Sequence, residues 1–395
     1  MNNNAPPPAP TRIPATVWVL GFVSLLMDIS SEMIHSLLPV FMTVVLGTSA
    51  TTVGIIEGVA EATALITKVF SGVISDWAGK RKWLAVLGYG MGAATKPLFA
   101  MATGAGWIFT ARFLDRIGKG IRGAPRDALI ADVTDPAVRG AAFGLRQALD
   151  TVGAFVGPLL AIGLMLLWAN DFRAVFWVAF IPGLLAVVLL LVGVREPERA
   201  SQPGRTAFPI SRAALARLPT AYWWVVGAGA ILTLARFSEA FLVLRAQQGG
   251  LALALAPLVL VMMNIVYSVC AYPFGKLADR MSHRTLLVAG IVPLVIADLL
   301  LAHSGEFAWV AAGLVFWGLH MAATQGLLSA MIADTAPAEL RGTAFGLFNL
   351  GSGVAMLAAS VIAGVLWDTL GAEATFLAGA VFAVLALVLL SLRRN

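Results

Sequence analysis

Arg112, Asp115, Arg116, Lys119, Arg122 and Arg126 follow one another at helical spacing inside an otherwise apolar stretch, residues 106–133. At 100° per residue they share an arc of about 120°, and at 1.5 Å per residue the row is about 21 Å long. Asp28, Ser31, Glu32 and His35 also fall on one helix face, as do Glu57, Glu61 and Lys68. Carboxylates in such rows carry protons, Lys and Arg bind anions, and the two together make ion pairs that break and reform. The sequence offers no hydrolytic or redox constellation beside them: it has no nucleotide-binding P-loop, no HExxH and no GxSxG in a strand–helix context. One cysteine, Cys270, excludes an intramolecular disulfide and a Cys-cluster zinc site. The chain reads as no enzyme, with no cofactor and no metal centre.

The elements that carry these rows follow from composition. Of 395 residues, 59% are hydrophobic and 12% charged, against about 25% charge in a soluble domain. Apolar stretches lie near 17–43, 51–75, 83–102, 106–133, 139–168 and 172–194, then near 220–246, 250–279, 284–303, 307–333, 341–369 and 372–392. Each approaches the ~20 residues that cross a membrane as a helix. The predicted fold is an all-α membrane protein of twelve transmembrane helices in two six-helix bundles, 17–194 and 220–395. An Arg-, Pro- and Ser-rich linker (195–219) joins them, and a polar, proline-rich tail (1–16) that reads as disordered precedes them.

Basic residues at the span ends, among them Lys80, Arg81, Lys82, Arg139, Arg284 and Arg341, gather on the side of both termini. Such a bias marks the cytoplasmic face, so the chain is expected in the inner (plasma) membrane with both termini inside. The net charge of +6 follows from that bias and calls for no nucleic acid.

Clear of the span ends, the first half holds eight bases: Lys68, Lys96, Arg112, Arg116, Lys119, Arg122, Arg126 and Arg146. It holds seven acids: Asp28, Glu32, Glu57, Glu61, Asp115, Asp127 and Asp150. The second half has Arg236, Glu239, Arg245 and Asp298. A charge at the bilayer centre costs roughly 2.5–3.5 kcal/mol on insertion scales, so these residues are candidates for function. A stripe like 112–126 must line a wet cavity or pair with neighbouring helices. The near balance of bases and acids points to pairing for most of them, and a buried pair suits a switch. The candidate cavity set is His35, Glu57, Glu61, Arg112, Asp115, Arg116, Lys119, Arg122, Arg126, Asp150 and Arg236.

The halves repeat. Ile130-Ala131-Asp132, Arg139-Gly140 and Ala142-Phe143-Gly144-Leu145 return as Ile332-Ala333-Asp334, Arg341-Gly342 and Ala344-Phe345-Gly346-Leu347. Ser31-Glu32 returns as Ser238-Glu239. Parallel six-helix repeats place a substrate site at their interface and work by rocking. Proton coupling needs a carboxylate whose ionisation changes with access: burial disfavours the charged form, while water or a cation favours it. Glu32 and Glu239, equivalent in the two halves, are the first candidates and Asp28 the third. The repeat mate of Asp28 is next to Arg236, so an Asp28–Arg236 attraction across the halves is expected.

Gly72-Val-Ile-Ser-Asp76-Trp-Ala-Gly79-Lys-Arg81-Lys82 and its degraded copy Gly275-Lys-Leu-Ala-Asp279-Arg280-Met-Ser-His-Arg284 resemble the loop signature of the major facilitator superfamily. Arg112 opens a segment similar to that family's helix-4 arginine motif. Gly144, Gly153, Gly157 and Pro158 match the spacing of its antiporter motif, which the sequence leaves at Ala161 and Ile162. The resemblance covers about 17–392. It implies a conformational latch in which Asp76 and Asp279, with Gly72 and Arg81, face helix starts near Arg341 and Arg139. It also supports Asp28, since aspartates in the first helix recur in similar drug antiporters.

The expected function is secondary active transport by alternating access, as proton-coupled export of a small amphipathic anionic or zwitterionic compound by a monomer in the bilayer. Two alternatives remain open at this point: a proton-driven importer of an organic anion or metal chelate, at which His320-Met321 and Met262-Met263 hint, and a lipid-headgroup-handling membrane protein.

Overall fold

The computed structural model describes residues 12–78, 81–196, 215–278, 280–303, 306–324, 326–337 and 340–392, with 72, 73, 76–78 and 392 as backbone alone. The first half comprises α1 (Ala15–His35), α2 (Leu38–Val40, continued by a π-helical turn Phe41–Val45), α3 (Ala50–Ala78), α4 (Arg81–Ala100), α5 (Ala105–Val133), α6 (Arg139–Leu167) and α7 (Phe172–Gly193). The second comprises α8 (Thr220–Ala235), α9 (Ala240–Gln248), α10 (Leu258–Ala278), α11 (His283–Ala302), α12 (Phe307–Thr324), α13 (Leu327–Thr335), α14 (Arg341–Leu370) and α15 (Ala372–Leu392). No strand occurs among the described residues.

Among the described residues, nine helical segments have the length and apolarity to cross a membrane. The remaining long helices, α3, α4 and α5, have 29, 20 and 29 residues. They match the others in length but hold the charged rows, so a membrane accepts them only as members of a bundle that hides those rows.

Three segments expected as continuous helices are interrupted. After His35 the chain turns and restarts with Pro39 in the first turn of α2, a position that needs no backbone N–H. Gly326 separates α12 from α13 at φ +79, a conformation natural to glycine. Residues 236–239 leave the helix between α8 and α9. There side-chain hydroxyls take over backbone bonding: Ser238 Oγ accepts from the Ala240 amide at 3.2 Å, and Ser360 Oγ accepts from the Ser238 amide at 3.3 Å.

Within the first half α4 packs on α5, α1 on α6 and α7, and α3 on α5; within the second α11 packs on α12 and α15, and α10 on α12. The halves meet along α3 and α14, and through α2 against α9. The basic residues Arg81, Arg139, Arg284 and Arg341 lie at or next to helix starts and define one end of the bundle, called here the basic end. At the opposite end the halves close tightly. A Cβ at Gly364 would lie 2.6 Å from Thr51 Cα, and one at Gly54 would run into the Ser360 carbonyl. Towards the basic end the same seam relaxes, to 3.3 Å between a Cβ at Gly353 and Ala62 Cα.

Candidate functional site

Two adjoining cavities of about 480 and 330 Å³ lie between the halves and share Glu32, Glu61, Lys119, Ala154 and Asn264. The smaller is the deeper, reaching His35, Glu239 and Trp317 under the closed end. The larger extends towards the basic end past Lys68, Arg126 and Gln147.

The walls on the first-half side are tied by ion pairs. Arg112 grips Glu57 with two bonds, Nε to Oε1 at 3.0 Å and Nη2 to Oε2 at 2.6 Å, both residues buried. Lys96 Nζ reaches Asp115 at 2.8 Å and Ser31 Oγ at 3.1 Å. Arg116 meets Glu61 at 2.8 Å, and Arg122 approaches Asp28 at 3.8 Å while lying over the Tyr89 ring. Arg126 and Arg146 share Asp127 and Asp150, with Arg146 to Asp150 the shortest contact at 2.6 Å. His35 bridges Glu32 (3.4 Å) and Glu57 (3.8 Å).

Pairing splits the candidate set. His35, Glu61, Arg116, Lys119, Arg122, Arg126, Asp150 and Arg236 line a cavity. Glu57, Arg112 and Asp115 do not, contrary to the cavity role expected for them. They are buried at 0%, 3% and 4% exposure, because the arc of α5 is wide enough for one edge to face α3 and α4 rather than the cavity. The expected Asp28–Arg236 attraction is likewise absent, since Asp28 has turned to Arg122 in its own half. Among the described residues, Lys119, Arg236 and Glu239 in the smaller cavity and Lys68 in the larger line the walls with no ion pair within 4.0 Å.

The Major Facilitator Superfamily profile matches residues 20–260 and 241–395. An MFS-type transporter of Methanocaldococcus jannaschii is 33% identical over 382 residues, covering 95% of this chain and 94% of that protein. The chain belongs to the major facilitator superfamily. It is accordingly a multi-pass membrane transporter and not an enzyme. A multidrug resistance protein, MdtH of Yersinia enterocolitica, is 31% identical over a shorter segment, 36% of this chain and 34% of its own. The crystal structure of the nucleoside transporter NupG (D323A mutant) has the same fold, with a TM-score of 0.80 at 14% identity over 95% of this chain and 99% of that one.

The superfamily motifs can be placed on this frame. Gly153 and Gly157 seat α6 directly on α1: a Cβ at Gly153 would lie 2.7 Å from the Leu25 carbonyl, and one at Gly157 would lie 2.8 Å from the Ile29 carbonyl and 2.9 Å from Glu32 Cβ. The glycine spacing thus sets the backbone behind Asp28 and Glu32. Pro158 is buried beside them in α6, and Gly144 makes no close approach. Arg139 and Arg341 are the first residues of α6 and α14. Arg81 donates to the Ala128 carbonyl at 3.1 Å and pairs with Asp132, joining α4 to α5. The surroundings of Gly72, the side chain of Asp76 and all of Asp279 lie outside the described residues, as do 1–11 and 197–214 of the tail and linker.

Beyond Arg236 and Glu239, the second-half wall went unread in the sequence. Asn264, Tyr267 and Ser268 line the larger cavity from α10, and Phe237 and Trp317 the smaller. Asn264, Tyr267 and Ser268 stand at i, i+3 and i+4 in an apolar stretch, a polar face that was legible but uncharged.

Proposed function

We propose that this superfamily member is a secondary active transporter exporting a small amphipathic anionic or zwitterionic compound in exchange for protons, by alternating access across the plasma (inner) membrane. In this reading α3, α4 and α5 span the bilayer with the nine apolar segments, giving twelve spans, and the basic end and both termini are cytoplasmic. The conformation is then inward-facing. The protein works as a monomer.

The observation that carries the substrate class is the placement of Lys119 and Arg236. They come from opposite halves, line the same deep cavity, and have no ion-pair partner. An unpaired cation beside a wet cavity is stabilised by an anionic ligand, and two from facing halves let one anion touch both. Glu239 beside them supplies a counterpart for the ammonium of a zwitterion. Trp317, Phe237 and Met356 give the apolar surface that an amphipathic molecule needs.

Glu32, Glu239 and Asp28 are the proton-coupling groups. Glu32 and Glu239 share the deep cavity, and Asp28 lies in the adjoining one. The 3.8 Å Asp28–Arg122 contact is loose enough for a proton to compete with the arginine. Asp76 and Asp279 latch the cytoplasmic ends in the opposite state, where they face the starts of α14 and α6. The antiporter spacing of α6 and the partial likeness to MdtH support export.

Thermal unfolding of the purified protein against a ligand panel tests the substrate class. Amphipathic anions and zwitterions raise the melting temperature, lipophilic cations of equal size do not, and K119Q removes the response. Stabilisation by the cations alone would overturn the assignment.

A further inference from the structure

Asp298 of α11 is wholly buried at 0% exposure, and neither carboxylate oxygen has a hydrogen-bond partner among the described residues. A Cβ built at Gly379 of α15 would lie 2.8 Å from Asp298 Oδ2 and 3.0 Å from Cε1 of the Phe237 ring. Phe237 in turn packs on Trp317 and Phe376, with centroids 5.9 and 5.5 Å away. Phe237 and Trp317 both line the deep cavity. The Phe237 ring therefore borders both the surroundings of the carboxyl and that cavity.

The charged and titratable groups on the surrounding elements are engaged elsewhere. Arg245 of α9 donates to the Leu301 and His303 carbonyls, each at 2.8 Å. His320 of α12 bonds the Gly290 carbonyl at 2.7 Å, about two turns along α11 from Asp298. Asp334 of α13 meets His283, and Lys276 of α10 lies over the Tyr272 ring. Glu373 stands in the first turn of α15, nearly two turns before Gly379. Arg236 and Glu239 flank Phe237 on the cavity side, and none of these groups makes an ion pair with Asp298. A carboxylate wholly buried and without a counter-ion is not kept charged in such a place; the group is the neutral acid.

We infer that Asp298 is a proton-binding site of the second half, occupied in this conformation and opened to the cavity by displacement of Phe237. The segment 236–239 is already non-helical and held by two hydroxyl bonds, so it is a ready hinge. When the ring moves, water reaches the carboxyl and Arg236, its chain neighbour, approaches it. The O–H bond then breaks, the electron pair stays on the carboxylate opposite Arg236, and water takes the proton. Only the use of this proton in transport rests on the proton-coupled reading; the occupancy of the site does not.

Dicyclohexylcarbodiimide, which attacks protonated carboxyls in apolar surroundings, tests this on the full chain in liposomes with peptide mass spectrometry. Asp298 is expected to be labelled and to stay reactive as the pH is raised through neutrality, while the ion-paired Glu57 and Asp115 are not labelled. In F237A, whose opened carboxyl can lose its proton to water, the Asp298 labelling falls several-fold as the pH is raised. In infrared difference spectra, D298N loses one protonated-acid carbonyl band. An unlabelled Asp298, or a spectrum that D298N leaves unchanged, would overturn the proposal, and the wild-type and F237A labelling decide it if D298N fails to fold. Loss of all proton-driven flux in the wild type would sink the coupling reading while leaving the labelling result intact.

Discussion

The carboxylate of Asp368 in one half caps the α3 helix of the other, accepting from the Thr51 amide at 2.8 Å and from the Ala50 amide at 3.0 Å. The first amides of a helix have no partner inside it and carry the positive end of its dipole. A carboxylate there is a good clasp, and this one spans the two halves at their closed end. It exists only while that end is shut, so under the proposed alternating access it biases the equilibrium between the two states. The basic end has its own expected clasp in Asp76 and Asp279, so each end would close with a carboxylate over a helix start.

D368A removes the clasp at a cost of about 1 kcal/mol, the usual value of a helix cap. The population with an open far end should then rise about fivefold. Spin labels at Val45 and Leu370, both exposed near that end, measure it: longer distances gain weight in D368A. An unchanged distribution would show that the cap does not hold the gate.

Lys96 and Asp115 are buried at 1% and 4% exposure, so leaving either alone strands a charge. K96M should cost about 3–5 kcal/mol, and K96M/D115L, which removes both charges, should recover most of it. Thermal unfolding in detergent reads the difference. A double variant no more stable than the single one would mean that the pair is not what holds α4 to α5.

Much of this was legible from the chain alone. The near balance of eight bases and seven acids already indicated pairing, and the pairs are there. What one-dimensional spacing did not resolve was which edge of α5 faced inward. Lys119 lines both cavities while Asp115, one turn earlier, is buried against Lys96; an arc of ~120° spans both environments, and only the positions of α3 and α4 separate them. Breaks such as 236–239 were hidden because their stabilising partner, Ser360, is far away in the sequence. Asp298 carries no motif, and its isolation shows only once Gly379 and Phe237 are packed around it.

Lys119 has no ion pair to lose. K119Q should leave stability within about ±0.5 kcal/mol, as for an exposed substitution. Affinity for an anionic substrate should fall roughly ten- to hundredfold, the value of a charged hydrogen bond of about 1.5–3 kcal/mol. Calorimetric binding beside a melting curve separates the two; a large loss of stability would place Lys119 in the structural network instead.

Gly157 and Gly144 belong to one motif but differ in surroundings. G157A presses a methyl group onto the Ile29 carbonyl and Glu32 Cβ, and should cost about 1–3 kcal/mol by overpacking. It should also alter the pH profile of transport through Glu32. G144A, with nothing within 4 Å, should be silent in both assays. Equal effects from the two would contradict the packing role assigned to Gly157.

Flux in proteoliposomes under an imposed pH gradient tests the central claim most directly, with wild type beside the D28N/E32Q/E239Q variant. The account predicts that wild-type protein moves an amphipathic anion or zwitterion against the proton flow, and that the variant still binds an amphipathic anion but loses the response to the gradient. A variant that keeps gradient-driven flux, or a wild type that carries substrate along with the protons, would contradict it.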